Sequence, residues 1–297
     1  MAFKRHTDRL PIIPADAKNV MGAPRATDPT GTVTWSARAV DAETGDLLLD
    51  DNSDAVMPCA SIGKILLLLE TARRFNDGTL APDTPLTRHP DDAVGDSGIW
   101  QDLRISALPA TDVAALVGAV SDNLATNVLL RAVGLEAVAA TAQELDLGEV
   151  SLHDKVRDAR GAGDAPHFAT ANARALVRFF SRLHRDELVS PSVSRDVRSW
   201  LAANADLSIV SSAWGLDPLA HRASDSPRLR VVNKTGTDAG VRAEAGLVST
   251  ESRTIAYAVL ARWPSAPEND HARAVTVLAR MRQIGAEIMP PFSDNPH

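Results

Sequence analysis

Ser61-Ile-Gly-Lys-Ile-Leu-Leu-Leu-Leu69 is the stretch that decides how this chain is interpreted. Its apolar run predicts a helix from Ser61 to Phe75, closed by Asn76-Asp-Gly78. A serine and a lysine three positions apart on a helix lie on one face, one turn from each other. A serine hydroxyl is a poor nucleophile until a neighbouring base takes its proton. Ser61 and Lys64 are therefore predicted to be a nucleophile and its base.

Two further motifs follow in fixed order, Ser121-Asp-Asn123 and Lys234-Thr-Gly236. A Ser-x-x-Lys match alone arises at roughly 1 in 400 positions, so it means little by itself. A fixed tripeptide arises at roughly 1 in 8,000 positions, and two of them downstream make coincidence improbable. The three motifs together indicate an active-site serine enzyme that transfers acyl groups.

The chemistry assigns a role to each polar motif residue. A lysine serves as a base when desolvation and a second cation lower its pKa, and Lys234 is the second cation beside Lys64. Ser121 is expected to relay the proton toward the leaving nitrogen. Asn123 is expected to hold Lys64 and a substrate amide by hydrogen bonds.

The third motif is also expected to bind the substrate. The backbone N–H groups of Ser61 and Thr237 are predicted to form the oxyanion hole. Gly236 has no side chain, so an extended substrate can lie against the edge of the strand that carries Lys234 and Thr235.

Composition excludes several classes of function. The 297 residues, 44% hydrophobic and 23% charged, suffice for one large domain or two interleaved ones. A net charge of −7 argues against nucleic-acid and anionic-membrane partners. The single cysteine, Cys59, excludes an intrachain disulfide, and the eight histidines lack zinc-ligand spacing. We therefore expect no metal, no cofactor, and a monomer that acts on a small molecule.

Residues 1–30 form a proline-rich extension with weak patterning. Its apolar stretch, Leu10 to Ile13, is short and interrupted by Pro11, so we expect no signal peptide and no membrane span. The chain as it stands is predicted to be cytoplasmic, or secreted if a leader was removed.

Hydrophobic periodicity changes twice along the chain. It predicts a hairpin over Thr32–Leu49, three strands over Leu229–Asn233, Ala243–Thr250 and Thr254–Trp263, and a closing helix over Asp270–Ile288. Between them it predicts helices over Thr111–Val120, Leu124–Val133, Leu135–Leu145, Thr170–Leu183 and Ser192–Asn204. Strands at both ends imply a sheet built from both termini, interrupted by a helical insertion of about 150 residues.

The chain resembles the penicillin-recognising serine hydrolases, most closely the class A β-lactamases and their β-lactamase-like relatives. Ser121-Asp-Asn-Leu-Ala-Thr-Asn-Val-Leu-Leu130 and Lys234-Thr-Gly-Thr-Asp-Ala-Gly-Val-Arg242 extend the resemblance beyond the three motifs. The similarity runs over residues 32–290 in order. It implies that an arginine, here Arg242, joins Lys234 and Thr235 in binding a substrate carboxylate; a surface arginine is the alternative.

The resemblance also implies an α/β (α+β) fold. A five-stranded antiparallel sheet flanked by helices would face an all-helical domain across the active-site cleft. Residues 31–57 and 206–297 would form the α/β domain, and residues 58–205 the all-α domain.

The chain departs from the class A pattern in one loop. Class A β-lactamases carry a glutamate between the second and third motifs that activates the deacylating water. The corresponding segment here, residues 152–170, contains no glutamate. Asp158 is the best replacement base, and a solvated loop aspartate is the alternative. Asp164 is expected to pin the loop, to Arg157 or Arg160.

A loop and a tryptophan close to the second motif in sequence are also candidates for the cleft. Gly95-Asp-Ser-Gly98 imitates the nucleophile signature of trypsin-like proteases, but no two-barrel pattern surrounds it, so we expect a loop at the cleft edge. Trp100 is a candidate wall of the substrate cleft, with core packing as the alternative.

Three functions are compatible with these residues. The first is hydrolysis of a β-lactam amide through an acyl-enzyme on Ser61. The second keeps this chemistry on another substrate, as an esterase or D-Ala-D-Ala peptidase-like enzyme. The third is a penicillin-binding protein that deacylates slowly or not at all, which the missing glutamate favours.

Overall fold

A computed structural model of the chain describes residues 33–222, 229–266, 268 and 270–289. The predicted extension over residues 1–30, and with it the signal-peptide and localisation predictions, lies outside the described residues. The strands are β1 Thr34–Asp41, β2 Leu47–Asp51, β3 Met57–Pro58, β4 Pro85–Thr87, β5 Ala107–Pro109, β6 Ser151–Leu152, β7 Ala169–Ala171, β8 Arg230–Asp238, β9 Val241–Ser249 and β10 Thr254–Arg262. The helices are α1 Lys64–Asp77, α2 Ala110–Val120, α3 Asn123–Val133, α4 Leu135–Glu144, α5 Ala173–His184, α6 Pro191–Leu201 and α7 Asp270–Ile288.

The main sheet joins strands from both ends of the chain, as predicted. Its order is β2-β1-β10-β9-β8, and every neighbouring pair is antiparallel. The expected five-stranded antiparallel sheet flanked by helices is therefore confirmed. Strand β8, which carries the third motif, is an edge strand of this sheet.

The central strands of the sheet have apolar side chains on both faces, and helices cover both of these faces. Helix α5 packs against β1, β9 and β10 on one face, where Ala243, Ala245 and Leu247 join the core of helices α1 to α6. Helix α7 covers the other face, where Val248 and Tyr257 pack. One continuous core thus joins the sheet to the helical region, and the domain boundaries stay a prediction.

Several element boundaries differ from the predictions. Strand β8 runs to Asp238 instead of ending at Asn233, so it includes the whole third motif. The helix predicted from Thr170 begins at Ala173, because Ala169–Ala171 is a strand and the side chain of Asn172 caps the helix by accepting from Ala175 N. Ser61 lies in a 3₁₀ turn, Ala60–Gly63, and α1 begins only at Lys64.

No single helix in the described ranges is long and apolar enough to cross a membrane. One pair, Asn123–Val133 with Leu135–Glu144, meets the length and composition requirement jointly, but it bends by 79° at the break.

Candidate active site

The three motifs come together at one cleft of about 840 Å³ between the helical region and the edge of β8. Ser61, Ser121, Asn123, Thr235 and Thr237 all line it. The cleft walls are the segments 94–97, 156–160 and 204–206. The predicted loop Gly95-Asp-Ser-Gly98 therefore lies at the cleft edge, as expected.

Two backbone positions beside the reactive groups have left-handed conformations that side chains disfavour. Ala60, just before Ser61, has φ +46°, and Ser121 has φ +53°. Such conformations cost roughly 1–3 kcal/mol each and persist where the surrounding structure enforces them. At Ser121 the strained turn ends α2 one residue before the cap of α3. This turn directs the Ser121 hydroxyl toward the two lysines.

Ser121 Oγ lies between two completely buried amines. Lys64 Nζ is 3.1 Å from Ser121 Oγ, and Lys234 Nζ is 3.0 Å from the same oxygen. Lys64 Nζ also donates to Ser121 O and to Asn123 Oδ1, each at 2.7 Å. Lys234 Nζ also donates to the carbonyl of Thr235 at 3.0 Å. The arrangement joins the second and third motifs to Lys64 of the first.

The two lysines differ electrostatically. Burial, and then the charge of Lys234, lowers the pKa of Lys64 well below its usual range. Burial lowers the pKa of Lys234 to about 8, although the carboxylates of Asp206 and Glu244 oppose this effect. The site therefore keeps Lys234 mainly protonated at neutral pH and favours the neutral amine at Lys64.

Asp122, the middle residue of the second motif, organises the cleft edge. Its Oδ1 accepts from Ala125 N and caps α3. Its Oδ2 accepts from the backbone N–H groups of Ile99 and Trp100, each at 2.8 Å. No sequence pattern indicates this second role, because the contact joins segments more than twenty residues apart.

The structure places Trp100 and Arg242 away from the cleft lining. Trp100 is completely buried in the core, and its indole N–H donates to the carbonyl of Ile105. Arg242 donates to the carbonyls of Asp238 and Val241 and lies over the ring of Trp263, 5.8 Å from its centroid. The core-packing alternative therefore describes Trp100, and the guanidinium of Arg242 contacts the hairpin turn and Trp263 instead of lining the cleft.

The structure explains the glycine at position 236 by a contact other than the predicted one with substrate. A Cβ at this position would lie 2.1 Å from the carbonyl oxygen of Cys59. Because that oxygen belongs to the backbone just before Ser61, the absent side chain lets β8 approach the nucleophile segment. Gly236 is also buried and does not line the cleft.

The loop after β6 is fixed by its own ion pairs. Asp154 pairs with Arg157 and Arg160, and Asp164 pairs with Arg157 at 3.1 Å. The prediction that Asp164 pins the loop through Arg157 is confirmed. Asp158 lines the cleft, and its Oδ1 accepts from Gly95 N at 2.8 Å across the opening. Its role as a base stays a prediction.

Sequence reasoning missed several polar residues around the cleft. Asn204 and Asp206 line the wall beside β8, and Glu244 lies buried in β9. A glutamate within the otherwise apolar Ala243-Glu-Ala245 was the one available signal. Among the described residues, no group of three histidine, cysteine, aspartate or glutamate side chains is placed to hold a metal ion.

Solved structures with this fold include penicillin-interacting proteins. A structure of PBP-A has a TM-score of 0.72 and 20% identity, covering 86% of this chain and 89% of that one. A β-lactamase from Sphaerobacter thermophilus has a TM-score of 0.72 and 22% identity, with coverages of 89% and 95%. A PBP-A mutant, solved as an acyl-enzyme complex with penicillin G, has a TM-score of 0.69 and 21% identity, with coverages of 86% and 91%. At these identities the likeness shows the fold alone.

The sequence itself provides the family assignment. None of the curated proteins matches this chain significantly. The model of the beta-lactamase enzyme family, in contrast, matches residues 20–288, which include all three motifs. The chain therefore belongs to the beta-lactamase enzyme family and is a hydrolase of the β-lactamase type.

Proposed function

We propose that the chain opens the amide of a β-lactam through a covalent acyl-enzyme on Ser61. The observation that carries this proposal is the position of Ser121 Oγ, 3.1 Å from Lys64 Nζ and 3.0 Å from Lys234 Nζ. A hydroxyl that bridges two buried amines in the cleft of Ser61 provides a route for a proton. The family assignment gives the substrate class by similarity.

The hydrogen bonds support opposite roles for the two lysines. A neutral amine has two N–H donors and one lone pair. The carbonyl of Ser121 and Oδ1 of Asn123 accept from Lys64, which leaves its lone pair for a hydroxyl proton. Lys64 would take the proton of Ser61 as that oxygen attacks the carbonyl carbon. As the C–N bond breaks, Ser121 would pass its proton to the lactam nitrogen, and Lys64 would return the Ser61 proton to Ser121 Oγ, 3.1 Å away. Lys234 would stabilise the negative charge that develops in the transition state.

The remaining cleft residues would position the substrate. Asn123, Thr235 and Thr237 present polar groups along the cleft. We assign the backbone N–H groups of Ser61 and Thr237 to the oxyanion hole, as their positions in the motifs predict. Because Arg242 is held at the hairpin turn, we assign the substrate carboxylate to Lys234 and Thr235 alone.

A slowly deacylating enzyme is the second candidate, and one observation favours it. Loop 152–170 has no glutamate, and the loop side chains that line the cleft include the apolar Val156 and Phe168. Asp158 is the carboxylate of this loop that lines the cleft, and it already accepts from Gly95 N. Water attack on the acyl-enzyme would then be slower than acylation.

Intact-mass spectrometry after mixing with benzylpenicillin tests the proposal. Ring opening by Ser61 adds the whole penicillin to the protein, because no group leaves. We expect this adduct in the wild type and none in Ser61→Ala. No adduct and no turnover of a chromogenic cephalosporin would contradict β-lactam chemistry. Turnover of p-nitrophenyl esters or D-Ala-D-Ala peptides would then select the esterase or peptidase alternative.

A further inference from the structure

Glu244 is a completely buried carboxylate that the proposed reaction does not use. It lies in the middle of β9, opposite Thr235 of β8, while its neighbour Ala245 lies opposite Lys234. Successive side chains of a strand point to opposite faces. Glu244 therefore lies behind the sheet, on the face covered by α7, one residue out of register with Lys234.

Every hydrogen-bond partner of Glu244 can donate. The backbone N–H groups of Val210 and Ser211 donate to Oε2, at 2.6 and 3.2 Å. The amide of Asn233 and the hydroxyl of Tyr257 donate to Oε1, at 2.8 and 2.7 Å. A carboxylate accepts all four, whereas a protonated carboxyl would need an acceptor for its own proton, a role that only the Tyr257 hydroxyl among these partners can take. Burial raises the pKa of Glu244 overall, and these hydrogen bonds oppose that rise. The ionised form is supported by the geometry, in which four donors converge on the two carboxylate oxygens.

These hydrogen bonds connect Glu244 to the cleft wall. Asn233 Oδ1 accepts from the amide of Asn204 at 2.9 Å, and Asn204 lines the cleft. The contacts to Val210 and Ser211 hold the far end of the same segment. Both ends of segment 204–211 therefore depend on one carboxylate, directly or through Asn233.

Charge gives a second connection, to Lys234. The ionisable groups that act on Lys234 come from three elements: Lys64 of α1, Asp206 of segment 204–211, and Glu244 of β9. Of the two carboxylates, Asp206 raises the pKa of Lys234 more, and Glu244 is the completely buried one, which solvent screens least. Two buried charges of opposite sign, behind and in front of β8, stabilise each other.

We propose that Glu244 is a positioning residue of the active site, an ionised carboxylate that anchors segment 204–211, which includes the cleft wall 204–206, and balances the charge of Lys234 through the sheet. Its effect on catalysis rests on the proposed acylation by Ser61. Its effect on the titration of Lys234 is independent of that acylation, because the lysine titrates whether or not a substrate reacts.

The test is a titration of lysine side chains by NMR with ¹³C-labelled lysine. The chain has five lysines, so the Lys234 signal can be assigned by its loss in a Lys234→Arg variant. We expect a midpoint near pH 8 in the wild type and a lower midpoint in Glu244→Gln, which has the same shape without the charge. Tyr257→Phe removes one donor and keeps the charge, so its midpoint should match the wild type.

Acylation by benzylpenicillin provides the second measurement. We expect Glu244→Gln to slow it about tenfold at pH 8, the effect of losing one charge-assisted hydrogen bond. Glu244→Asp keeps the charge and should leave the Lys234 midpoint near the wild-type value. This variant gives a readout of its own if Glu244→Gln does not fold. An unchanged midpoint in folded Glu244→Gln overturns the proposal, as does a midpoint lowered in Glu244→Asp or Tyr257→Phe. A wild type that titrates as expected but is never acylated contradicts the proposed function instead.

Discussion

Lys64 and Lys234 contact the same hydroxyl and are equally buried, yet their surroundings favour different charge states. Lys234 has two carboxylates that favour its charged form, Asp206 and Glu244. For Lys64, burial and then the positive charge of Lys234 favour the neutral form, and the carboxylates of Asp122 and Asp96 oppose them. A pair of titratable groups with diverging pKa values is the arrangement that assigns one as base and the other as electrostatic stabiliser.

The rate of acylation should fall as pH rises through about 8. Lys234 has a pKa of about 8, so it is protonated below that pH and loses its positive charge above it. The loss should approach tenfold per pH unit well above the midpoint. Acylation rates with benzylpenicillin from pH 6 to 10 provide the measurement. Lys234→Arg is the control, because its guanidinium stays charged throughout; if a decline near pH 8 persists in that variant, another group is responsible.

At Gly236 the backbone of β8 closely approaches the backbone of Cys59. The carbonyl oxygen of Cys59 cannot rotate away from an added Cβ as a flexible side chain would. Gly236→Ala should therefore push β8 from the segment before Ser61, destabilising the protein by about 2 kcal/mol and abolishing the adduct. Gly163→Ala is the matched control, since a Cβ there meets nothing within 4 Å. Denaturant unfolding that gives both variants the wild-type stability would contradict this account.

At the scale of elements, loop 153–168 is held by contacts to three other parts of the chain. Asn127 of α3 donates to Val156 O and accepts from Val156 N. Lys155 donates to Asp91 O, and Asp158 accepts from Gly95 N. Together with the internal ion pairs of Asp154, these contacts fix the loop as a wall of the cleft. A fixed loop presents the same side chains to any ligand in the cleft.

Asp158→Asn should leave the lifetime of the acyl-enzyme within about twofold of the wild type. We expect this because the substituted side chain keeps an oxygen to accept from Gly95 N, and that contact accounts for the position of Asp158. Time-resolved intact-mass spectrometry after removal of free penicillin gives the lifetime. If the lifetime lengthens tenfold or more, Asp158 is the base that activates the deacylating water.

At the scale of the whole molecule, the cleft has an acidic rim. Asp96, Asp158, Asp206 and Asp238 line it. The arginines of the lining, Arg157 and Arg160, are paired with loop carboxylates. The net charge of −7 for the whole chain adds to the negative electrostatic potential at the cleft. A substrate with a positive side chain should therefore enter more readily than one with a negative side chain.

Three penicillins that differ in one group test this electrostatic preference. Ampicillin carries an ammonium on its side chain, benzylpenicillin no charge there, and carbenicillin a carboxylate. We expect acylation in that order of decreasing rate, with steps of roughly threefold at low salt that shrink in 0.5 M salt. Asp238→Asn should narrow the range, since it removes one rim charge. If carbenicillin reacts as fast as ampicillin, the acidic rim does not influence substrate choice.

The sequence by itself determined the three motifs that meet at the cleft and the general fold. Ser61, Lys64, Ser121 and Lys234 were identified because local motifs specify them, and the strands at both termini predicted the mixed order of the sheet. Such features depend on spacing of a few residues and on hydrophobic periodicity, which a single sequence records.

Only the tertiary structure decided what lies behind and around those motifs. Arg242 turns onto Trp263, Trp100 enters the core, and Gly236 faces Cys59, since each is governed by contacts between distant segments. Glu244 became visible as part of the site only when β9 was paired with β8 and segment 204–211 was folded over both. Long-range packing, which leaves no fixed spacing in the sequence, decided these positions.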